Sequence, residues 1–219
     1  MKKYLVKTPG IVKALYPKRR WSFTKEQKDI YLTFDDGPIP RVTPWVLETL
    51  KAFDAKATFF CIGKNVLENP EVFRKVLREG HTVGNHTQNH LNAQNTKADS
   101  YIDNVLKAQQ ALEETAEEEH SKALQEQLLF RPPYGKLSSF KAKKLQHKGY
   151  KIVMWDVLSG DFDHTITQEK CLENVLKNTE NGSIVIFHDS IKAEKNLRYA
   201  LPKVLAHFSE KGCAFKAIP

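Results

Sequence analysis

Short β-rich apolar runs alternate with amphipathic helical patterns along almost the whole chain, and this alternation limits the fold more than any other feature. The spacing predicts strands at 30–34, 57–61, 82–84, 128–131, 152–155, 183–187 and 213–216. Helices fall between them. Over 42–53, Val42, Trp45, Val46, Leu50 and Phe53 recur at helical spacing. Over 70–79, Val72, Phe73, Val76 and Leu77 do the same, with Pro70 in the first turn and Gly80 after the last. A long helix is predicted from Ala98 to about Leu124, with Glu113, Glu114, Glu117, Glu118 and Glu119 on an exposed face. Helices at 140–148, 168–178 and 197–210 complete the set. Strand–helix alternation of this kind implies an α/β fold with a largely parallel sheet. A (β/α) barrel and an open doubly wound sheet both satisfy it. Asp35-Asp36-Gly37-Pro38 follows the first strand, where a nucleotide-binding fold would carry a glycine-rich loop. Two carboxylates repel a phosphate, which argues against that fold.

A chain of 219 residues can bury one sizeable core and is short for two full domains. Residues 1–29 read as an N-terminal extension that packs on the body or caps a barrel, and 30–219 as one domain. No apolar run approaches the ~20 residues that a membrane span needs. The basic N-terminus starts like an export signal, but Lys7, Pro9 and Lys13 interrupt its apolar stretch. No cleaved signal is expected, and the default location is the cytoplasm. Cys61, Cys171 and Cys213 are an odd number at wide spacing and read as reduced thiols. The net charge of +8 is spread over the chain, with its densest point at Lys18-Arg19-Arg20 beside Trp21. A lone basic triplet reads as a solvated face, so no nucleic-acid partner is expected. Nothing in the pattern sets an oligomeric state.

Four segments carry groups that can do chemistry, and each lies just after a predicted strand. Asp35 and Asp36 are adjacent carboxylates, which repel one another unless a cation or a proton resolves the conflict. An Asp-Asp-Gly-Pro turn is also common in itself. His86 and His90 stand four apart, so one helical turn would face both imidazoles the same way. With Asp36 they make three ligands for a divalent metal and leave positions open, the pattern of a catalytic site. His81 sits before the short strand and reads as structural. Arg131-Pro132-Pro133-Tyr134-Gly135 has two prolines that fix the backbone and can aim the Tyr134 N–H into a site. It also fits a rigid strand exit. His188 ends the strand at 183–187 and can act as a general acid near neutral pH, or merely cap the sheet. In a β/α barrel the C-terminal strand ends share one face, where active sites sit.

Taken in order, these segments resemble the polysaccharide deacetylases with the NodB-homology domain, carbohydrate esterase family 4, from about Ile30 to the C-terminus. Thr33-Phe34-Asp35-Asp36-Gly37, His86 through His90, Arg131 through Tyr134, and Ile186-Phe187-His188 match its ordered motifs. The resemblance implies a distorted (β/α) barrel of about seven strands. It implies a metal-dependent hydrolase that removes N-acetyl groups from an amino-sugar polymer or oligomer, peptidoglycan- or chitin-like, and so an N-acetylated glycan partner. By the same resemblance Asp35 is the base and Asp36, His86 and His90 hold one divalent ion. Zinc is the first choice for that ion, with cobalt, nickel or manganese also fitting. Arg131 pairs with Asp35, Tyr134 offers its backbone N–H to the oxyanion, and His188 is the acid. One motif departs. Leu158 stands where the family has its first acid after the Trp155 strand, and Phe162 replaces a tryptophan as the sugar platform. Asp161 remains to orient Arg131 or His188, with Asp156 and Asp163 as other candidates. The departure keeps open a glycan-binding protein that has lost turnover, and a metal-dependent esterase on O-acetylated glycan is a second neighbouring function.

Overall fold

The structure is a computed structural model that describes residues 4–219. Its strands are β1 (Asp29–Asp35), β2 (Thr58–Cys61), β3 (Thr82–Asn85), β4 (Leu129–Phe130), β5 (Lys151–Ile152), β6 (Val157–Leu158), β7 (Ile184–His188) and β8 (Ala214–Phe215). Seven pair in parallel in the order β5-β4-β3-β2-β1-β7-β6, and β8 adds to the start of β1. The result is a curled half-barrel with helices outside, the barrel form of the two architectures that the alternation allows. β1 is its centre. Leu32 and Phe34 alternate to the helix side, where Phe34 stacks between Phe59 and Phe187 at 5.0 and 6.1 Å. Thr33 and Asp35 therefore face the barrel interior.

The helices are α1 (Gly10–Leu15), α2 (Thr43–Lys51), α3 (Gly63–Glu68), α4 (Pro70–Arg78), α5 (Ala98–Thr115), α6 (Glu118–Glu126), α7 (Ser139–His147), α8 (Gln168–Asn178) and α9 (Glu194–Glu210). The single helix expected from Ala98 to about Leu124 is two. Ala116 and Glu117 are extended (ψ 155° and 152°), and α6 folds back so that Gln109 on α5 donates to the Leu124 carbonyl at 3.1 Å. The six-residue α1 and α3 and the two-residue β6 were not expected; each is too short to show a period. The strand expected at 152–155 ends at Ile152: Val153 N–H still donates to Phe130 O on β4 at 2.9 Å, but the backbone groups around it pair elsewhere.

That elsewhere is partly the N-terminal segment, which spans the opening between β5 and β6. Arg20 N–H donates to Ile152 O at 2.8 Å, and Met154 N–H to Arg20 O at 2.7 Å. On the other edge Leu158 N–H donates to Val6 O, and Thr8 N–H to Asp156 O, both at 2.8 Å. Buried Asp156 clamps this segment: Oδ1 takes Lys13 at 2.6 Å, and Oδ2 takes both Lys7 and Ser183 at 2.7 Å. The three cysteines are free, with Cys61 and Cys171 buried. No helix among the described residues is long and apolar enough to cross a membrane.

Candidate active site

The C-terminal ends of β1, β3, β4 and β7 converge on a cleft of about 450 Å³ lined by Asp35, Asp36, His86, His90, Tyr134 and His188, among others. Asp35 ends β1, all but sealed from solvent. Its Oδ1 accepts from Arg131 Nη1 at 2.7 Å, and the same nitrogen donates to Thr33 Oγ1 at 2.7 Å. Arg131 is fully buried over the Phe60 ring. Its remaining donors go to backbone carbonyls, Nη2 to Met154 at 2.9 Å and Nε to Val153 at 3.4 Å. The carbonyls freed where β5 stops thus take the place of a carboxylate at position 158, and Leu158 instead lines the cleft.

Asp36 turns the chain into the cleft with a left-handed backbone, φ 83°. Such a conformation costs a non-glycine residue ~1–3 kcal/mol and must be held from outside. Asn65 Nδ2 donates to the Asp36 carbonyl at 2.7 Å. Gly37 N–H donates to buried Asp189 Oδ1 at 3.0 Å, and Thr43 Oγ1 donates to Asp189 Oδ2 at 2.5 Å. Any side chain at Gly37 would collide with that carboxylate. Burial pushes Asp189 up to about 7, although the Thr43 bond opposes the shift. Asp189 was not singled out from sequence; the Asp directly after His188 was the available signal.

His86 and His90 do not share a helical turn, as their spacing suggested. They lie in the loop after β3, and left-handed Thr87 (φ 67°) and His90 (φ 53°) bring the rings together at 5.1 Å. Asn85 Oδ1 accepts from Thr87 N–H at 2.9 Å, and Asn104 Oδ1 from Gln88 N–H at 2.9 Å, which fixes that path. His86 Nδ1 donates to the Arg131 carbonyl at 2.8 Å, so its Nε2 faces the cleft as a lone pair. Burial lowers the His86 pKa against the pull of Asp35 and Asp36, which favours the neutral, ligating form. His90 Nδ1 meets the Tyr134 hydroxyl at 3.1 Å. One atom from each of Asp36, His86 and His90 lies within 4.8 Å of the others. Asp36 Oδ1 is buried without a hydrogen-bond partner among the described residues, 3.2 Å from His90 Nε2 and 3.7 Å from His86 Nε2. Burial works against its charge, but the His90 contact and the nearby imidazoles hold it well below the carboxylate range. An anionic oxygen without a hydrogen-bond partner, beside the His86 and His90 Nε2 atoms, fits a divalent cation.

The Arg131–Gly135 loop closes through Gly135 N–H to Pro132 O and Lys136 N–H to Pro133 O, neither of which uses the Tyr134 N–H. Tyr134 is left-handed (φ 61°), and its exposed ring packs on His90 at 4.7 Å. On β7, His188 is the register partner of Asp35. Fully buried Asp161 accepts from both the His188 backbone N–H (2.7 Å) and its Nδ1 (2.8 Å). Burial alone would lower the His188 pKa; the Asp161 charge and hydrogen bond outweigh it and push it up to about 9. Of the three acids in that stretch, Asp161 therefore belongs to the site. Asp156 is the clamp on the N-terminal segment, and Asp163 caps a turn through Thr165. His81 lies outside the cleft, where its Nδ1 accepts from Ala57 N–H at 3.2 Å.

The polysaccharide deacetylase family profile matches residues 23–153. A peptidoglycan-N-acetylglucosamine deacetylase of Bacillus cereus is 36% identical over 199 residues, 90% of each chain. A chitooligosaccharide deacetylase of Azorhizobium caulinodans is 32% identical over 211 residues, 90% of this chain and 95% of its own. A crystal structure of a peptidoglycan N-acetylglucosamine deacetylase, in complex with 4-naphthalen-1-yl-N-oxidanyl-benzamide, superposes with a TM-score of 0.86 at 28% identity, covering 97% of this chain and 95% of that one.

Proposed function

This chain belongs to the polysaccharide deacetylase family and is a polysaccharide N-deacetylase, and we propose that it hydrolyses the N-acetyl group of an amino sugar in a peptidoglycan- or chitin-like strand, releasing acetate and a free amine. One observation carries this reading: Asp35 and His188, register partners on adjacent strands, flank the Asp36–His86–His90 cluster in one cleft. Asp36, His86 and His90 would hold a divalent cation, with zinc suiting two imidazoles and a carboxylate. Such an ion supplies Lewis acidity, lowering the pKa of a water and polarising the acetamide carbonyl.

The chain's own groups do the rest. Arg131 fixes Asp35 through Oδ1, and Oδ2 is left to take the proton of the attacking water. The Tyr134 N–H stabilises the oxygen on which charge develops, worth roughly 3–4 kcal/mol for one well-placed donor. His188, kept protonated by Asp161, gives its proton to the departing nitrogen. Acetate release from N-acetylglucosamine oligomers, with and without chelator, tests the reading. Release is expected to stop on chelation and return with added metal, and His86→Ala or His90→Ala should lose the ion. No acetate from any N-acetylated glycan with any divalent metal would sink it.

A further inference from the structure

The N-terminal segment, ahead of every motif residue, reaches into the catalytic cleft. Tyr4 lines the same space as Asp35, Asp36 and His188. Its ring lies 5.6 Å from that of Phe162, and Phe162 sets edge-to-face on the His188 imidazole at 5.1 Å. The Tyr4 hydroxyl sits over left-handed Gly160, where any side chain would strike it. Burial first, and then the charge and hydrogen bond of Asp163, raise this phenol to about 12, so it stays neutral at any working pH, with its hydroxyl held by Asp163. The segment is held in place just downstream by the Val6 and Thr8 backbone bonds to the β6 edge, and by Lys7 on Asp156 at 2.7 Å.

Tyr4, Phe162 and His188 thus form a row of three rings along the lining of the cleft, with Tyr4 the farthest of them from His188. Aromatic faces with a polar tip suit the apolar faces and hydroxyl rim of a pyranose. A sugar whose acetamide meets His188 would lie against Phe162, and Tyr4 is one ring further out. We propose that Tyr4 is a substrate-binding residue that holds the neighbouring sugar of the strand, so that the N-terminal segment makes the enzyme prefer oligomers to single sugars. This inference rests on the deacetylase reading of the cleft.

The test compares wild type, Tyr4→Phe and Tyr4→Ala on N-acetylglucosamine and on its oligomers of two to five units, by acetate release. Binding of the pentamer is measured in parallel by calorimetry on Asp35→Asn protein with and without Tyr4→Ala. For the longer oligomers Tyr4→Ala should raise KM by about 3- to 10-fold, the loss of one aromatic contact, with a smaller change in kcat. The effect should shrink toward the single sugar, and Tyr4→Phe should recover most of it. Pentamer affinity should fall by the same factor. Equal KM values across the series with equal pentamer affinity would overturn the proposal, as would a uniform loss of kcat on every substrate including the monosaccharide. If wild type releases no acetate from any glycan, the deacetylase reading fails, and the calorimetric pair alone decides for or against Tyr4.

Discussion

Asp35 and Asp156 are both buried carboxylates, 2% and 1% exposed, and both are paired with cations. What separates them is how their oxygens are used. Asp156 is engaged on both oxygens, with Lys13 on Oδ1 and Lys7 and Ser183 on Oδ2. Asp35 is paired on one side only. Arg131 takes Oδ1, while Oδ2 accepts no hydrogen bond among the described residues and lies 3.7 Å from His86 Nε2. A carboxylate held by cations on both oxygens is a strut, since neither oxygen faces a reacting group. A half-paired one is oriented by its cation and still able to accept a proton. The lysines on Asp156 are also part-exposed, whereas Arg131 is sealed, so the Asp35 pair cannot relax into water.

The contrast breaks most sharply at Asp35. Asp35→Asn should lower acetate release by ~10²–10⁴-fold, as removal of a general base commonly does, while metal content stays at wild-type level. Wild-type turnover in that variant would make Asp35 a second strut. Next in size is Asp161→Asn, with a loss of ~10–100-fold from disorienting His188. As the proposed acid, His188 must be protonated to act, and its raised pKa predicts that activity falls as pH rises through about 9. Without Asp161 that falling limb should move to lower pH, and a pH–rate profile that keeps its limb would exclude His188 as the acid. Asp156→Asn should leave kcat close to wild type but cost about 1–3 kcal/mol of stability, seen as a drop of several degrees in Tm. Because Asp156 anchors the segment that carries Tyr4, KM for oligomers should also rise; an unchanged melting curve would deny its role as a strut. The smallest effect belongs to His81→Gln, with metal and turnover unaltered. Burial, then Lys56, lowers His81 to about 4, so the folded state is disfavoured as pH falls from about 6.5 toward 4. The variant should lose less stability over that window, measured by urea unfolding.

The motif residues were legible because they are polar groups at the ends of apolar runs, and the strand ends of such a fold share one face. Asp35, Asp36, His86, His90, Arg131, Tyr134 and His188 all meet there. What holds them was less legible. The Leu158 departure looks like a loss in the sequence, but the partners that satisfy Arg131 are the carbonyls of Val153 and Met154, which no residue identity announces. The histidine pair points to a helical turn because four-residue spacing is all that a sequence displays. Two left-handed residues achieve the same juxtaposition without a helix. Asp161 could not be ranked above Asp156 or Asp163 until His188 was seen bonded to it. Tyr4 sits before any periodic segment, so nothing tied it to chemistry far along the chain.

Arg131 joins parts of the chain that are made at different times. Its guanidinium grips Asp35, 96 positions earlier, and its carbonyl grips His86, 45 positions earlier. A growing chain that has emerged only to residue 100 already carries Asp36, His86 and His90, but nothing yet to orient the His86 ring or the Asp35 carboxylate. The Asp36–His86–His90 cluster and the groups that orient it therefore come from stretches made at different times, and the cleft is complete only once β4 and then β7 have joined the sheet.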